Sequence, residues 1–259
     1  MCDEILKIDP IFNVGIPEKI YHYTTVKSAQ NILTHGSLKF SEINKLNDPY
    51  DCKNLVDYQS LCHMSHDKRI PKKSQVRKDE LNDRNNKFGL ICLTETDSNE
   101  LMWSHYGDSH KGVCIEIDCY KLFKMIYREN KKYKTFINIS PVNYTKISPT
   151  IYVPNYNCDG EMKEYVKNTF LTKALYWNYE KEWRIIKLFN DTQELLYNPP
   201  HYRFFKYIDK IITGVYFGCN MEGKDVVELH NQIGHKIDKY KMIKNDINPH
   251  NYQLIPEKL

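Results

Sequence analysis

Several signatures of common enzyme classes are missing from this chain of 259 residues. It contains no Gly-x-x-x-x-Gly-Lys-Ser/Thr, no Gly-x-Ser-x-Gly and no Gly-x-Gly-x-x-Gly segment. These segments would cradle phosphates in a P-loop, carry the nucleophile of an α/β-hydrolase, or bind a dinucleotide in a Rossmann fold. Their absence argues against a P-loop enzyme, an α/β-hydrolase and a Rossmann dehydrogenase.

Membrane and metal signals are missing as well. No apolar run approaches the roughly 20 residues of a membrane helix, and the start of the chain, residues 1–4, shows no leader pattern. The histidines show neither His-x-x-x-His nor Glu-x-x-His spacing, and none of the eight cysteines forms a Cys-x-x-Cys pair. Several cysteines lie in apolar segments, such as Ile91-Cys92-Leu93, which is typical of reduced core cysteines. We therefore expect a cytoplasmic protein with no membrane association and no metal.

A strong charge imbalance is also absent. The net charge is +4 and the pI is near 8.4, below the range that by itself indicates a nucleic-acid-binding domain. The most basic stretch, residues 68–87, has the composition of a solvated helical face or loop, and it is also a candidate surface for nucleic acid. The oligomeric state is left open.

The chain does have the composition of a folded domain, with 41% hydrophobic residues and 20 tyrosines. Strands without strict βαβ alternation predict a single α+β domain with mixed, mainly antiparallel sheets, arranged as two small sheets around a cleft, and interspersed helices. Within it we expect an N-terminal arm at 1–18, a helical insertion or lid at 51–86 and a C-terminal tail at 244–259. Strands are predicted at 19–25, 38–41, 88–94, 112–117, 136–146, 182–188, 208–217 and 236–243, and helices at 26–34, 99–105, 159–176 and 222–233.

The first polar motif is Tyr21-His22-Tyr23-Thr24, at the end of the first predicted strand. Alternate residues of a strand share a face, so His22 and Thr24 should present an imidazole and a hydroxyl side by side. Such a pair can bind neighbouring hydroxyls, such as those of a ribose. A hydrogen-bonded structural histidine beside a helix-capping threonine is the alternative.

The second motif is Trp103-Ser104-His105-Tyr106-Gly107, which leaves a predicted helix capped by Ser98 and leads into a glycine-containing loop. His105 and Tyr106 are candidate ligand contacts, and His105, His110 and Lys111 are candidates for a metal-independent nuclease site. A core tryptophan beside loop histidines is the structural alternative.

The third motif is Glu180-Lys181-Glu182-Trp183-Arg184. If it begins a strand, Glu180, Glu182 and Arg184 share one face. Two carboxylates at a strand end can hold a sugar hydroxyl and an incoming nucleophile, and the arginine can bind a phosphate or a carboxylate. A solvated strand edge is the alternative.

These motifs, with Leu46-Asn47-Asp48-Pro49-Tyr50 and Lys111-Gly112-Val113-Cys114-Ile115, resemble those of a bacterial family labelled domain of unknown function 2971. The matching landmarks extend over most of residues 19–190. The family label itself implies little about function.

The order of a strand-borne histidine, a helix, a short strand and a late Glu-x-Glu also resembles ADP-ribosyltransferases, in which a cleft between two sheets binds NAD. The resemblance implies that His22, Tyr23, Thr24, His105, Tyr106 and Arg184 bind the cofactor, that Glu182 binds the nicotinamide ribose, and that Glu180 assists the acceptor. The chain departs from those enzymes in lacking a Ser-Thr-Ser strand and in the long spacing from His22 to Glu182.

The resemblance predicts an enzyme that cleaves the nicotinamide glycosidic bond of NAD, as a toxin or phage-defence effector, with a nucleotide ligand and a protein or nucleic-acid acceptor. A non-enzymatic nucleotide- or nucleic-acid-binding module and the metal-independent nuclease remain as alternatives.

Overall fold

Twelve strands and five α-helices lie in the part of the chain that the computed structural model describes, residues 15–53, 84, 86–133, 136–151, 159–189, 203–245 and 252–259. The strands are β1 (Lys19–Thr24), β2 (Ser37–Lys39), β3 (Phe88–Thr94), β4 (Val113–Asp118), β5 (Ile137–Pro141), β6 (Asn143–Thr145), β7 (Thr172–Ala174), β8 (Glu182–Leu188), β9 (Phe204–Lys206), β10 (Ile212–Phe217), β11 (Asp238–Lys244) and β12 (Leu254–Lys258). The α-helices are α1 (Val26–His35), α2 (Glu100–His105), α3 (Cys119–Tyr133), α4 (Asp159–Phe170) and α5 (Gly223–Gln232), and short 3-10 helices span Ile43–Lys45, Leu175–Glu180 and Ile208–Lys210. The predicted α+β class is confirmed.

Eight strands form one sheet in the order β12-β11-β10-β4-β1-β3-β8-β5, and two-stranded pairs join β2 to β9 and β6 to β7. Neighbours in the large sheet are antiparallel except for β10 and β11. The join between β1 and β3 is weak, since they pair only at Tyr21 and Thr94, whereas β1 pairs with β4 along its whole length. The sheet therefore consists of two half-sheets, one of five strands that ends in β1 and one of three strands that begins with β3, and they separate beyond Tyr21.

The larger core lies on the sheet face that carries α1, α3 and α5. There Ile20, Ile115 and Trp183 are fully buried, and the Trp183 ring meets Phe123 of α3 edge to face. Thr25 is the N-cap of helix α1, and its hydroxyl accepts a hydrogen bond from the Ser28 N–H. Because burial of apolar area is the main favourable term in folding, this core fixes the position of both half-sheets.

The opposite face carries two smaller clusters and the polar residues between them. Phe88, Phe170 and Ile186 belong to one cluster, and Tyr23 and Trp103 belong to the other. Strand alternation places Glu182 and Arg184 on this face, on the side opposite to Trp183. The polar face of the three-stranded half therefore lies between two apolar clusters.

Several predicted elements require correction. Helix α3 and strand β9 were not predicted. The predicted strand at 136–146 is divided into β5 and β6 at Val142, whose N–H bonds to the Glu182 carbonyl, and the predicted helix at 159–176 ends at Phe170 and is followed by β7. The cap of α2 is Asn99, which accepts two backbone N–H groups, and not Ser98.

The predicted tail at 244–259 includes β12, which pairs with β11 at the edge of the sheet. Pro256 fits there because an edge strand can have one side free of ladder hydrogen bonds. Most of the predicted arm at 1–18 and nearly all of the predicted insertion at 51–86 lie outside the described residues. Among those described, no helix is long and apolar enough to cross a bilayer.

Candidate functional site

A cleft of about 360 Å³ opens where the two half-sheets part. Residues 21–23 of β1 and 91–94 of β3 all line it. Since successive strand residues point to opposite faces, lining by consecutive residues means that the cleft follows the parted strand edges. His22 bridges the gap, with Nδ1 3.1 Å from the Cys92 carbonyl oxygen.

The three sequence motifs all reach this cleft. His22 and Tyr23 come from β1, and His105 and Tyr106 come from the end of α2. Glu180 ends the 3-10 helix Leu175–Glu180, and Glu182 begins β8. Of the predicted site residues, Thr24 and Arg184 are not among those that line it. The motifs therefore meet, although two of the residues predicted to touch a ligand do not.

A buried cluster of charges lies at the base of the cleft. The ammonium of Lys173 lies 2.5 Å from Glu180 Oε2, 3.2 Å from Glu182 Oε2 and 3.7 Å from Asp51 Oδ2. Arg184 adds a second cation to the same group. Three carboxylates facing two cations leave a net charge of −1 when all five are ionised, in side chains that are at most 6% exposed.

Arg184, predicted to contact a ligand, lies behind the cleft and is fully buried. Its Nε and Nη2 donate to Glu182 at 2.7 and 2.8 Å, and Nη1 and Nη2 donate to the two Asp51 oxygens at 2.8 and 2.5 Å. Nη1 also donates to the Phe170 carbonyl. All three guanidinium nitrogens are thus occupied, so Arg184 orients the carboxylates and is not positioned to bind a phosphate.

The two glutamates have opposite protonation behaviour. Burial disfavours ionisation of Glu182, but Arg184 and Lys173 outweigh it and lower the pKa of Glu182 to about 2. Burial and the charge of Glu182 raise the pKa of Glu180 above its ordinary value, against the influence of Lys173 and Tyr106. Divergent pKa values in a carboxylate pair suit one group to remain charged and the other to exchange a proton.

Glu180 does not lie on the strand as predicted. It ends the 3-10 helix Leu175–Glu180, and Lys181 has a left-handed φ of 42° before β8 begins at Glu182. With this turn between them, both carboxylates accept hydrogen bonds from the same Lys173 ammonium. In a regular strand, Glu180 and Glu182 would share a face, but the strand alone would not bring both carboxylates to one ammonium.

Tyr106 connects the cleft to the loop after β2. Its hydroxyl donates to Glu180 Oε1 at 2.6 Å and accepts from Asn47 Nδ2 at 2.9 Å. Burial and the adjacent Glu180 charge raise the pKa of Tyr106. The phenol is therefore neutral and donates a hydrogen bond to Glu180.

His22 is neutral in this environment, because burial lowers its pKa and the hydrogen bond to Cys92 offsets this only in part. The Cys92 carbonyl can only accept, so Nδ1 carries the proton and Nε2 is left as an acceptor. Such an acceptor suits a ligand hydroxyl.

His105 lies in an aromatic group near the mouth of the cleft, with ring centroids of Tyr106, Trp177 and Tyr179 within 6.5 Å. His110 and Lys111 do not line the cleft, so the three residues of the nuclease hypothesis do not meet there.

The loop that carries His110 holds strand ends together. Asp108, Ser109 and His110 all have left-handed φ values of 50–66°, and the Gly112 N–H bonds to the Gly107 carbonyl at 2.8 Å. A Cβ on Gly112 would lie 2.3 Å from the Thr24 carbonyl oxygen. This part of the second motif is therefore structural.

The residues of the site that were not predicted include Asn47 and Asp51, which the sequence patterns placed in a turn and in the insertion, and Lys173, which they placed inside a helix. Lys173 carried the clearest signal. It is the single charge in Phe170-Leu171-Thr172-Lys173-Ala174-Leu175, and a charge inside an apolar run is buried only when it is paired.

No group of three or more histidine, cysteine, aspartate or glutamate residues suited to a metal occurs in the described part of the chain. In the cluster at the base of the cleft, Lys173 and Arg184 lie among the carboxylates, at the positions that a bound cation would take.

The comparisons support the first resemblance. Residues 102–185 match the family described as "Protein of unknown function (DUF2971)", as the motifs predicted. The match runs from Met102 within α2 to Ile185 within β8, and thus includes His105, Tyr106, Lys173 and both glutamates. No curated protein and no solved structure matches the chain significantly, and the resemblance to ADP-ribosyltransferases is not confirmed.

Proposed function

We propose that the chain is an ADP-ribosyltransferase-like enzyme that cleaves the nicotinamide glycosidic bond of NAD in the cytoplasm, as a toxin or phage-defence effector. The observation that carries the proposal is the buried cluster of three carboxylates and two cations at the base of a cleft between two half-sheets, which has a net charge of −1 when all five groups are ionised. Breaking this bond develops positive charge on the ribose, and fixed negative charge in a water-poor site lowers that barrier.

Glu182 supplies the fixed charge. Its low pKa keeps it ionised, and Arg184 and Lys173 hold both carboxylate oxygens in place. A group held this way needs no reorganisation when charge develops beside it.

Glu180 is the group that exchanges a proton. Its pKa is raised, and its Oε1 already accepts a hydrogen bond from Tyr106. Glu180 would take the proton of the incoming water or acceptor hydroxyl as that oxygen bonds to the ribose carbon and nicotinamide leaves with the bonding electrons.

Binding would involve both strand edges and the rim. His22 Nε2 can accept a ribose hydroxyl, and Lys39 and Lys45 line the cleft, where they can meet the pyrophosphate. The carboxylates at the bottom of the cleft and the two lysines at its rim together match a ligand with phosphates at one end and a cationic ring at the other.

The test is nicotinamide release from NAD by purified protein, measured by chromatography. Glu180→Gln is expected to lower the rate by about 10²–10⁴-fold, the usual effect of losing a general base. Glu257→Gln, an exposed site on β12, is the matched control and should retain the rate. Circular dichroism checks that each variant is folded.

The proposal is wrong if the folded wild-type protein neither binds NAD nor releases nicotinamide, and if Glu182→Gln leaves any cellular toxicity unchanged. A non-enzymatic nucleotide-binding module is the second candidate, favoured by the rim lysines and the neutral His22. It predicts calorimetric NAD binding without nicotinamide release.

A further inference from the structure

A second cavity, of about 170 Å³, lies against the cleft and shares Asp51 and Lys173 with it. The Asp51–Lys173 pair thus has a cavity on each side. The proposed NAD chemistry uses only the first, so the second has no assigned role.

The cavity is too small for a whole nucleotide. Pockets for drug-sized ligands measure roughly 300–1,000 Å³. The volume of this cavity, about 170 Å³, is little more than half of the lower limit. Its size suits a single planar ring system.

Two exposed aromatic rings line it. Tyr50, in the turn after the 3-10 helix Ile43–Lys45, is 79% exposed, and Tyr176, in the 3-10 helix Leu175–Glu180, is 80% exposed. Rings so exposed contribute little to a core. Exposed aromatic rings are the usual surface on which bases of single-stranded nucleic acid stack.

The polar groups of the cavity match a base and its backbone. Asp48 is buried, and Oδ1 accepts the Tyr50 backbone N–H at 2.8 Å. A carboxylate has acceptor capacity for further donors, such as the amino group of a base. Lys146 is exposed beside the cavity and can pair with a phosphate, and Thr145, Ser148 and Thr172 add hydroxyls.

We propose that the second cavity binds a base of single-stranded nucleic acid, with a preference for bases that carry an exocyclic amino group. The tyrosines stack on the base, Asp48 accepts from its amino group, and Lys146 contacts the backbone. The proposal does not depend on NAD cleavage, because binding is measured without NAD.

The experiment compares two pyrimidine strands of about twelve nucleotides, oligodeoxycytidine and oligothymidine, by fluorescence anisotropy. They carry equal charge, and only cytosine has an amino group. Wild-type protein should bind oligodeoxycytidine more tightly. Asp48→Asn keeps an oxygen for the Tyr50 N–H and should remove the difference between the strands.

Tyr176→Ala should weaken binding to both strands by about tenfold, in the range for loss of one stacking ring. Tyr207→Ala is the matched control, since Tyr207 is also exposed and does not line the cavity. The inference is overturned if neither strand binds, or if Tyr176→Ala and Asp48→Asn both behave as wild type. Nicotinamide release, assayed separately, reports on the proposed function alone.

Discussion

Replacing Arg184 with methionine tests whether the charge cluster is held together as the structure indicates. Methionine keeps much of the side-chain length but removes every hydrogen bond to Glu182 and Asp51. The remaining group has three carboxylates and only Lys173. Breaking a buried pair by removing one partner costs about 3–5 kcal/mol, because the other charge is left uncompensated.

The pKa of Glu182 gives a similar magnitude. Lowering it from 4.5 to about 2 corresponds to about 3 kcal/mol, at about 1.4 kcal/mol per tenfold change in proton affinity. A group whose pKa is lowered by folding stabilises the protein above its unfolded pKa, and the contribution is lost as the pH falls toward the folded value. This contribution is therefore complete above pH 4.5 and disappears between pH 4.5 and about 2.

Urea unfolding at pH 7 and at lower pH provides the assay. We expect Arg184→Met to lower the free energy of unfolding by about 3–5 kcal/mol at pH 7. The difference from wild type should become smaller as the pH falls below 4.5. Arg128→Met, on the exposed side of α3, should stay within about 0.5 kcal/mol of wild type. A loss below about 1 kcal/mol at pH 7 would refute the cluster's role in stability.

Adding Glu182→Gln to Arg184→Met should restore part of the stability, because one of the two carboxylates left without Arg184 is then neutral. The two effects are coupled through direct contact, so the double variant should be more stable than the sum of the single losses predicts. Additive losses would mean that Arg184 acts mainly through Asp51.

Two further predictions concern Gly112, in the loop that carries His110, and the hydrogen bond from Tyr106 to Glu180. Gly112→Ala should destabilise the fold by about 1–3 kcal/mol in urea, since the new methyl group would meet the Thr24 carbonyl, whereas Gly223→Ala, with open space at the start of α5, should not. If the two variants are equally stable, the loop can shift to accommodate the methyl group at position 112. Tyr106→Phe should raise the pKa of Glu180, because the phenol hydrogen bond favours its charged form, and so should move the lower limb of the pH profile of nicotinamide release upward. An unchanged profile would exclude Glu180 as the group whose ionisation is rate-determining.

Local sequence patterns predicted local structure well where one periodicity of hydrophobic residues dominates. The strand at 88–94 agrees with β3 residue for residue, and the helix at 26–34 differs from α1 by one residue. The helix predicted for residues 170–175 was wrong because this apolar run fits a buried helix and a strand equally well, and periodicity cannot distinguish the two. The pairing of β6 with β7 decides the outcome, and it is a non-local contact.

The candidate site was predictable in its residue types but not in its pairings. The third motif correctly placed Glu182 and Arg184 on one face, yet whether Arg184 faces a ligand or a neighbour depends on Asp51, which is 133 residues away. Long-range partners of this kind follow from strand order and register, which a single sequence does not specify.

The charge balance of the cluster connects stability with function. A core built for stability alone would be expected to match its buried charges or replace them with apolar residues of similar volume, which is often neutral or stabilising. Here Lys173 and Arg184 hold three carboxylates, so one negative charge is uncompensated when all five groups are ionised, and Glu180 and Glu182 both line the cleft. Unfavourable arrangements kept in place by their surroundings are concentrated at functional sites. A cationic group in the cleft would complete the balance. In the proposed reaction, the nicotinamide ring of NAD would carry this charge before the bond breaks, and the ribose would carry it as the bond breaks.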